Sequence, residues 1–135
     1  MKKVTYLAIV EPSKDNYGIF FPDLPGCTSM ASSIEETFEM AKEALELHYY
    51  GMEKSKESIP LPSMILDAKD TEGCFVIPVT IYPELVKRKL DNRKVKTNCT
   101  IAAWIKDLAE ENHINYSQLL ENAILEYLDV KKSLF

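Results

Sequence analysis

Residues 95–101, Val-Lys-Thr-Asn-Cys-Thr-Ile, set Val95, Thr97, Cys99 and Ile101 in alternation with Lys96, Asn98 and Thr100, the period-two pattern of a half-buried strand. A helix follows with Trp104, Ile105, Leu108 and Ala109 as its apolar stripe, and Asn112-His113-Ile114-Asn115 breaks it. A second helix runs from about Tyr116, with Leu119, Leu120, Ala123, Ile124, Tyr127 and Leu128 on one side. A strand and two helices in about 35 residues cannot bury enough surface alone; units this short need a metal, disulfides or a second chain. This segment offers neither metal ligands nor a disulfide pair. Its lone strand also has two unpaired edges, and the same strand of a second copy satisfies one of them. The sequence therefore predicts a dimer, with two strands as an antiparallel ribbon over four intertwined helices.

Charge is distributed to match. The formal net charge of the 135 residues is -5, which would argue against nucleic acid if it were evenly spread. Residues 1–82, however, hold 7 Lys/Arg against 13 Asp/Glu, whereas residues 83–135 hold 9 against 8. Between 86 and 96, Lys87, Arg88, Lys89, Arg93, Lys94 and Lys96 stand against Asp91 alone. A cationic stretch feeding a near-neutral end suggests a local polyanion site, with the acidic part facing some other partner. Taken by itself, the stretch 83–94 also reads as a solvated basic linker or a connecting helix. Cys27, Cys74 and Cys99 are odd in number and widely spaced, as expected of reduced thiols in a cytosolic protein. The apolar runs Tyr6–Val10 and Ile19–Phe21 fall far short of the roughly 20 residues a membrane span needs. The basic start, Met1-Lys2-Lys3, leads into a stretch ending at Glu11-Pro12 without a small-residue cleavage site, so it reads as a first strand. The expected location is the cytoplasm, with no membrane partner.

In the N-terminal half, Val4–Val10 and Tyr17–Phe21 are β-prone runs joined by a turn-forming Glu11–Asn16 connection, a hairpin. Pro22-Asp23-Leu24-Pro25-Gly26 ends the second strand, and Cys27–Met30 supplies a short third one. Ser33-Ile34-Glu35-Glu36 has the spacing of a capping box and opens a helix. Ile34, Phe38, Ala41 and Leu45 then form its apolar face, Glu35, Glu39, Glu43 and Glu46 a solvated acidic one, and Gly51 its stop. Ile59-Pro60-Leu61-Pro62 is an extended connector. Cys74–Ile81 is a further strand, which Pro78 assigns to an edge or a bulge. The result is an α+β domain, β-β-β-α-β, with one helix on a sheet face.

The C-terminal pattern, Val95–Ile101 followed by Trp104-Ile105-x-x-Leu108-Ala109 and Ile114–Leu120-x-x-Ala123-Ile124, resembles a ribbon-helix-helix domain over 95–130. The resemblance implies that Lys96, Asn98 and Thr100 point outward and contact bases. A two-stranded ribbon fits the major groove, where lysine meets guanine acceptors and asparagine pairs with adenine. It implies that Asn115, Tyr116 and Ser117, at the start of the second helix, hold a phosphate, with Arg93 and Lys94 adding backbone contacts. Two positions depart from the family: Ala102 stands where a proline is common, and His113 replaces the turn glycine. The second asks a residue with a side chain to close a helix in a left-handed conformation, at a cost of about 1 kcal/mol.

The run Tyr17–Cys27, leading into Ser33-x-Glu35-Glu36-x-x-x-x-Ala41-Lys42-Glu43-Ala44-Leu45, resembles the HicB antitoxins, and the two resemblances span most of the chain. They imply a partial RNase H-like domain over 1–82 that binds a HicA toxin, a small basic ribonuclease, and a C-terminal module that represses the operon as a homodimer or higher even-numbered oligomer on operator DNA. An acidic domain suits a basic partner. Tyr17, Phe20, Phe21, Asp23 and Leu24 are the candidate toxin contacts if Phe20, Phe21 and Leu24 are exposed; the same segment also reads as a rigid turn. No catalytic residue, metal site or cofactor is expected. Two-metal chemistry needs carboxylates converging from strand ends, and Val4–Val10 and Tyr17–Phe21 carry none. His48 and His113 have no evident nucleophile beside them. The competing readings are a stand-alone regulator with a ligand-sensing or oligomerising N-terminal domain, and a nuclease.

Overall fold

The computed structural model describes residues 1–91 and 93–131, so Asn92, within the basic stretch, lies outside the described residues. The chain divides into two compact units, one ending at Leu90 and the other beginning at Asp91.

The first unit is a four-stranded antiparallel sheet in the order β3-β2-β1-β4. The strands are β1 (Val4–Pro12), β2 (Tyr17–Phe20), β3 (Thr28–Ala31) and β4 (Phe75–Ile81). Alternation decides their faces. Tyr6, Ala8 and Val10 of β1, Ile19 of β2, Ala31 of β3 and Val79 and Ile81 of β4 are buried against Ala41, Leu45 and Tyr49 of α1 (Thr37–Lys54). Leu7, Ile9, Phe20, Met30 and Val76 take the other face, because the register opposes Ile9 to both Phe20 and Val76, and Gly18 to Met30. Thr5 and Thr80 face each other across β1 and β4, their hydroxyls 2.7 Å apart. Pro78 lies in β4 at the sheet edge, where a residue without an amide donor is tolerated.

Helix α1 buries Ala41 and Leu45 as expected but not Ile34 or Phe38. Ile34 precedes the helix, in a turn closed by Glu36 N–H to Ser33 O and Thr37 N–H to Ile34 O. The Glu36 carboxylate does reach back, to the Ser32 amide at 3.2 Å, but no side chain caps the helix N-terminus. With the start at Thr37, the i, i+4 line Thr37-Ala41-Leu45-Tyr49 faces the sheet. Phe38, one residue and some 100° away, is 46% exposed. Glu46, which the acidic face was expected to solvate, is buried at 8% exposure. Burial pushes its carboxyl pKa up, against the pull of Lys42 and Lys89. Gly51 does not stop the helix, which runs three residues further to Lys54 and closes through Lys56 at φ 56°.

Two short helices complete the unit. α2 (Ala68–Thr71) is capped by Asp67, whose carboxylate accepts the Lys69 amide. α3 (Pro83–Leu90) occupies most of the stretch that reads from sequence as a basic linker or a connecting helix. It packs on α1 because its single apolar turn can be covered there: Val86 is 2% exposed, and Lys87 Nζ lies 3.7 Å from Glu53 Oε2. Cys27 is buried and its thiol pKa is pushed up to about 11 by burial, which leaves it inert.

The second unit holds α4 (Ala103–Glu111) and α5 (Tyr116–Leu128). No residue of either is buried. Among the described residues, no helix is long and apolar enough to cross a membrane.

Candidate functional site

The apolar stripes predicted for the second unit form, but in the single chain they face solvent. Trp104 is 67% exposed, Leu108 50% and Ile124 49%. Residues 95–101 carry no strand, and Lys96, Asn98 and Thr100 are exposed. A strand exists only through ladder hydrogen bonds, and this segment has no partner strand within one chain.

The turn between the helices is built as the sequence requires. His113 takes φ 53°, and its amide bonds the Glu110 carbonyl while the Ile114 amide reaches back to Ala109 at 3.0 Å. These are the two bonds of a Schellman turn, made here on a histidine in place of a glycine. Asn115 then caps α5, its side-chain oxygen accepting the Gln118 amide at 3.1 Å. The first intrahelical bond runs from Leu119 N–H to the Asn115 carbonyl, so the amides of Tyr116 and Ser117 lie ahead of the hydrogen-bonded ladder, at the positive end of the helix dipole. That leaves them suited to a phosphate oxygen.

The two basic candidates are engaged by acids. Arg93 Nε and a terminal nitrogen each bond the Asp91 carboxylate at 2.9 Å, which holds the Asp91 carboxyl below its ordinary range. Lys94 Nζ lies 2.9 Å from Glu121 Oε1. Both pairs are exposed, and an anion of higher charge density can take either cation at little cost.

The candidate partner-binding residues of the first unit do not come together. Phe21 and Leu24 are 2% and 0% exposed, members of the core; the segment after β2 folds inward because both side chains fill space beneath α1. The turn is closed by Leu24 N–H to Phe21 O and Cys27 N–H to Leu24 O, each at 3.0 Å. Tyr17 lies on the helix-covered face with its ring edge-on to Phe75, whereas Phe20 lies on the opposite face. Asp23 is a structural tie: its carboxylate accepts both the amide and the hydroxyl of Ser63, each at 2.7 Å. With the Tyr6 hydroxyl donating to the Pro60 carbonyl, this pins the connector after α1 to the body of the unit. Leu61, Met64 and Ile65 project from that pinned connector at 89%, 91% and 87% exposure. Sequence reasoning passed over them, because Leu61, Met64 and Ile65 have no periodicity and their exposure is set by the rest of the fold. Among the described residues, no group of three or more His, Cys, Asp or Glu side chains could hold a metal ion.

A family model described as a HicB-like antitoxin of bacterial toxin-antitoxin systems matches residues 6–124, across both units. Over 55 residues the chain is 36% identical to a 14.9 kDa protein from the rep-hol intergenic region of Haemophilus phage HP1, a match spanning 41% of each chain. Among solved structures, a toxin-antitoxin complex from Streptococcus pneumoniae is similar with a TM-score of 0.51 at 23% identity, over 93% of this chain and 99% of that one. A HicA3 and HicB3 toxin-antitoxin complex gives 0.50 at 18% identity, over 56% of this chain and 95% of that one. At these identities the structural likeness is one of fold.

Proposed function

The chain belongs to the HicB-like antitoxin family of bacterial toxin-antitoxin systems, and on that premise we propose that it neutralises a HicA-type, messenger-RNA-cleaving toxin and, as a dimer, binds operator DNA to repress its own operon. It is the non-enzymatic component of such a pair. Solved relatives of the same fold are complexes of antitoxin and toxin, which supports a toxin as the partner. The first unit, a partial RNase H-like domain in this reading, is the toxin-holding part. Its charge favours a basic protein.

The observation that carries the DNA-binding half is the exposure of the second unit's apolar stripes in one copy. An alternating segment without a ladder and two helices with no buried residue need a second copy to cover them. Two copies of 95–101 paired antiparallel form the ribbon of a ribbon-helix-helix dimer and direct Lys96, Asn98 and Thr100 into a major groove. Asn115, Tyr116 and Ser117 then hold the phosphate backbone, with Arg93 and Lys94 released from their carboxylates onto neighbouring phosphates. Homodimers and higher even-numbered assemblies through this unit satisfy the same demand. The reading places the protein in the cytoplasm, where operator and toxin both are.

Gel shifts with the region upstream of the gene test it. Asn98→Ala is expected to cost about 1–3 kcal/mol of discrimination at one base pair. Arg93→Ala should weaken binding to all sequences alike and flatten the salt dependence. Unaltered operator binding by Asn98→Ala would show that the ribbon register is wrong. Co-expression with a small basic protein encoded beside the gene, scored by co-purification and relief of growth arrest, tests the toxin half.

A further inference from the structure

We propose that the connector carrying Leu61, Met64 and Ile65 is the anchor by which the first unit grips its partner, and that this partner presents an apolar hollow rimmed by Lys or Arg side chains. The inference rests on the reading that this unit holds a basic toxin, and it assigns the face that does so.

Single exposed apolar side chains are ordinary, but three large ones within five residues, each at least 87% exposed, are not. Nothing in the unit's own packing uses them. The backbone beneath them is nonetheless fixed: Asp23 takes both Ser63 donors at 2.7 Å, the Tyr6 hydroxyl bonds the Pro60 carbonyl, and Pro60 and Pro62 restrict the chain on either side of Leu61. An apolar segment held rigid and outward is pre-organised for docking, because binding does not have to order it.

Charge specifies the occupant. Residues 1–82 hold 13 Asp/Glu against 7 Lys/Arg, and along the chain from 54 to 72 the exposed Glu57, Asp67, Asp70 and Glu72 outnumber Lys54, Lys56 and Lys69. An exposed apolar segment on an acidic unit suits a partner whose docking surface is apolar and flanked by cations.

The test uses the full chain and the HicA-type toxin encoded beside its gene, with dissociation constants from titration calorimetry, thermal melts by circular dichroism and gel shifts on the upstream DNA. Leu61→Asp and Met64→Asp are each expected to weaken toxin binding by at least about thirtyfold, at unchanged melting temperature and unchanged DNA retardation. Met64→Leu should bind as wild type does, and Met30→Asp, on the sheet face away from α1, should leave toxin affinity unaltered. Wild-type toxin affinity in the Leu61→Asp/Met64→Asp double variant would overturn the assignment while leaving the antitoxin reading intact. Loss of a higher oligomer in sedimentation, with toxin affinity kept, would give the connector to a second copy and overturn it equally. Failure of the wild-type chain to bind the toxin would sink the parent reading and this one with it.

Discussion

Lys56, His113 and Asp129 share a feature that the described chain shows at no other residue with a side chain: a left-handed backbone, at φ 56°, 53° and 53°. Each closes a helix in the same way, with the amide one residue further on reaching back five positions: Glu57 to Met52, Ile114 to Ala109 and Val130 to Leu125. Glycine takes this conformation freely and other residues take it at a cost, least for Asn, Asp and His. Lys56→Gly is therefore predicted to stabilise the protein by about 1 kcal/mol, His113→Gly by less, and Asp129→Gly least, read as urea midpoints at constant slope. An order in which Asp129→Gly gains most would contradict the argument. Glu46 gives a prediction in pH. Burial raises its folded-state pKa above the unfolded value, despite Lys42 and Lys89. The native state thus holds the proton more tightly, and the associated stability is complete below the unfolded pKa and lost as pH rises through the folded one. The melting temperature of Glu46→Gln relative to wild type should accordingly rise between pH 4 and pH 7 and stay flat below pH 4. A difference that narrows over that range would refute the sign.

Among the elements, the segment after β2 separates what a sequence reveals from what it conceals. That Pro22–Gly26 ends a strand is local chemistry and was legible. That Leu24 points inward was not, because a turn residue's burial depends on what α1 leaves open beneath it. Leu24→Ala should cost about 2–5 kcal/mol of stability, as expected of a buried leucine, and any loss of partner binding should track unfolding; a stable Leu24→Ala protein that had lost its partner would restore it as a contact. The strands of the first unit were readable because alternation needs no context. On α1 the reading was right at Ala41 and Leu45, which are buried, and wrong at Ile34 and Phe38, because Ile34 belongs to the preceding turn. The segment 95–101 shows the converse: its pattern is plain in sequence, yet its secondary structure does not exist within one chain. The connector at 61–65 went unseen as a site because exposure is set by the rest of the fold.

At the scale of the molecule, the first unit closes at Leu90, since α3 covers part of α1 with Val86. A fragment of residues 1–90 should be more stable than one of 1–82 by about 1.5–3 kcal/mol, the worth of burying that side chain; equal urea midpoints would show α3 to be peripheral. Residues 91–131 alone should sediment as a dimer at micromolar concentration, with Trp104 fluorescence shifting to the red on dilution as its ring meets water. A folded monomer there would remove the basis for the ribbon. Every copy added to such an assembly also brings the outer side of β4, Phe-Val-Ile-Pro-Val-Thr-Ile, a β-prone segment with no strand beyond it among the described residues. Runs of this kind seed cross-β fibres when their backbone is uninterrupted. Pro78 stands at the middle of the run and cannot donate to an incoming strand. On the proposal that the chain works as a dimer, Pro78 is an insulator against the wrong kind of self-association, and Pro78→Val should reveal it as thioflavin-positive polymer growing from otherwise native protein.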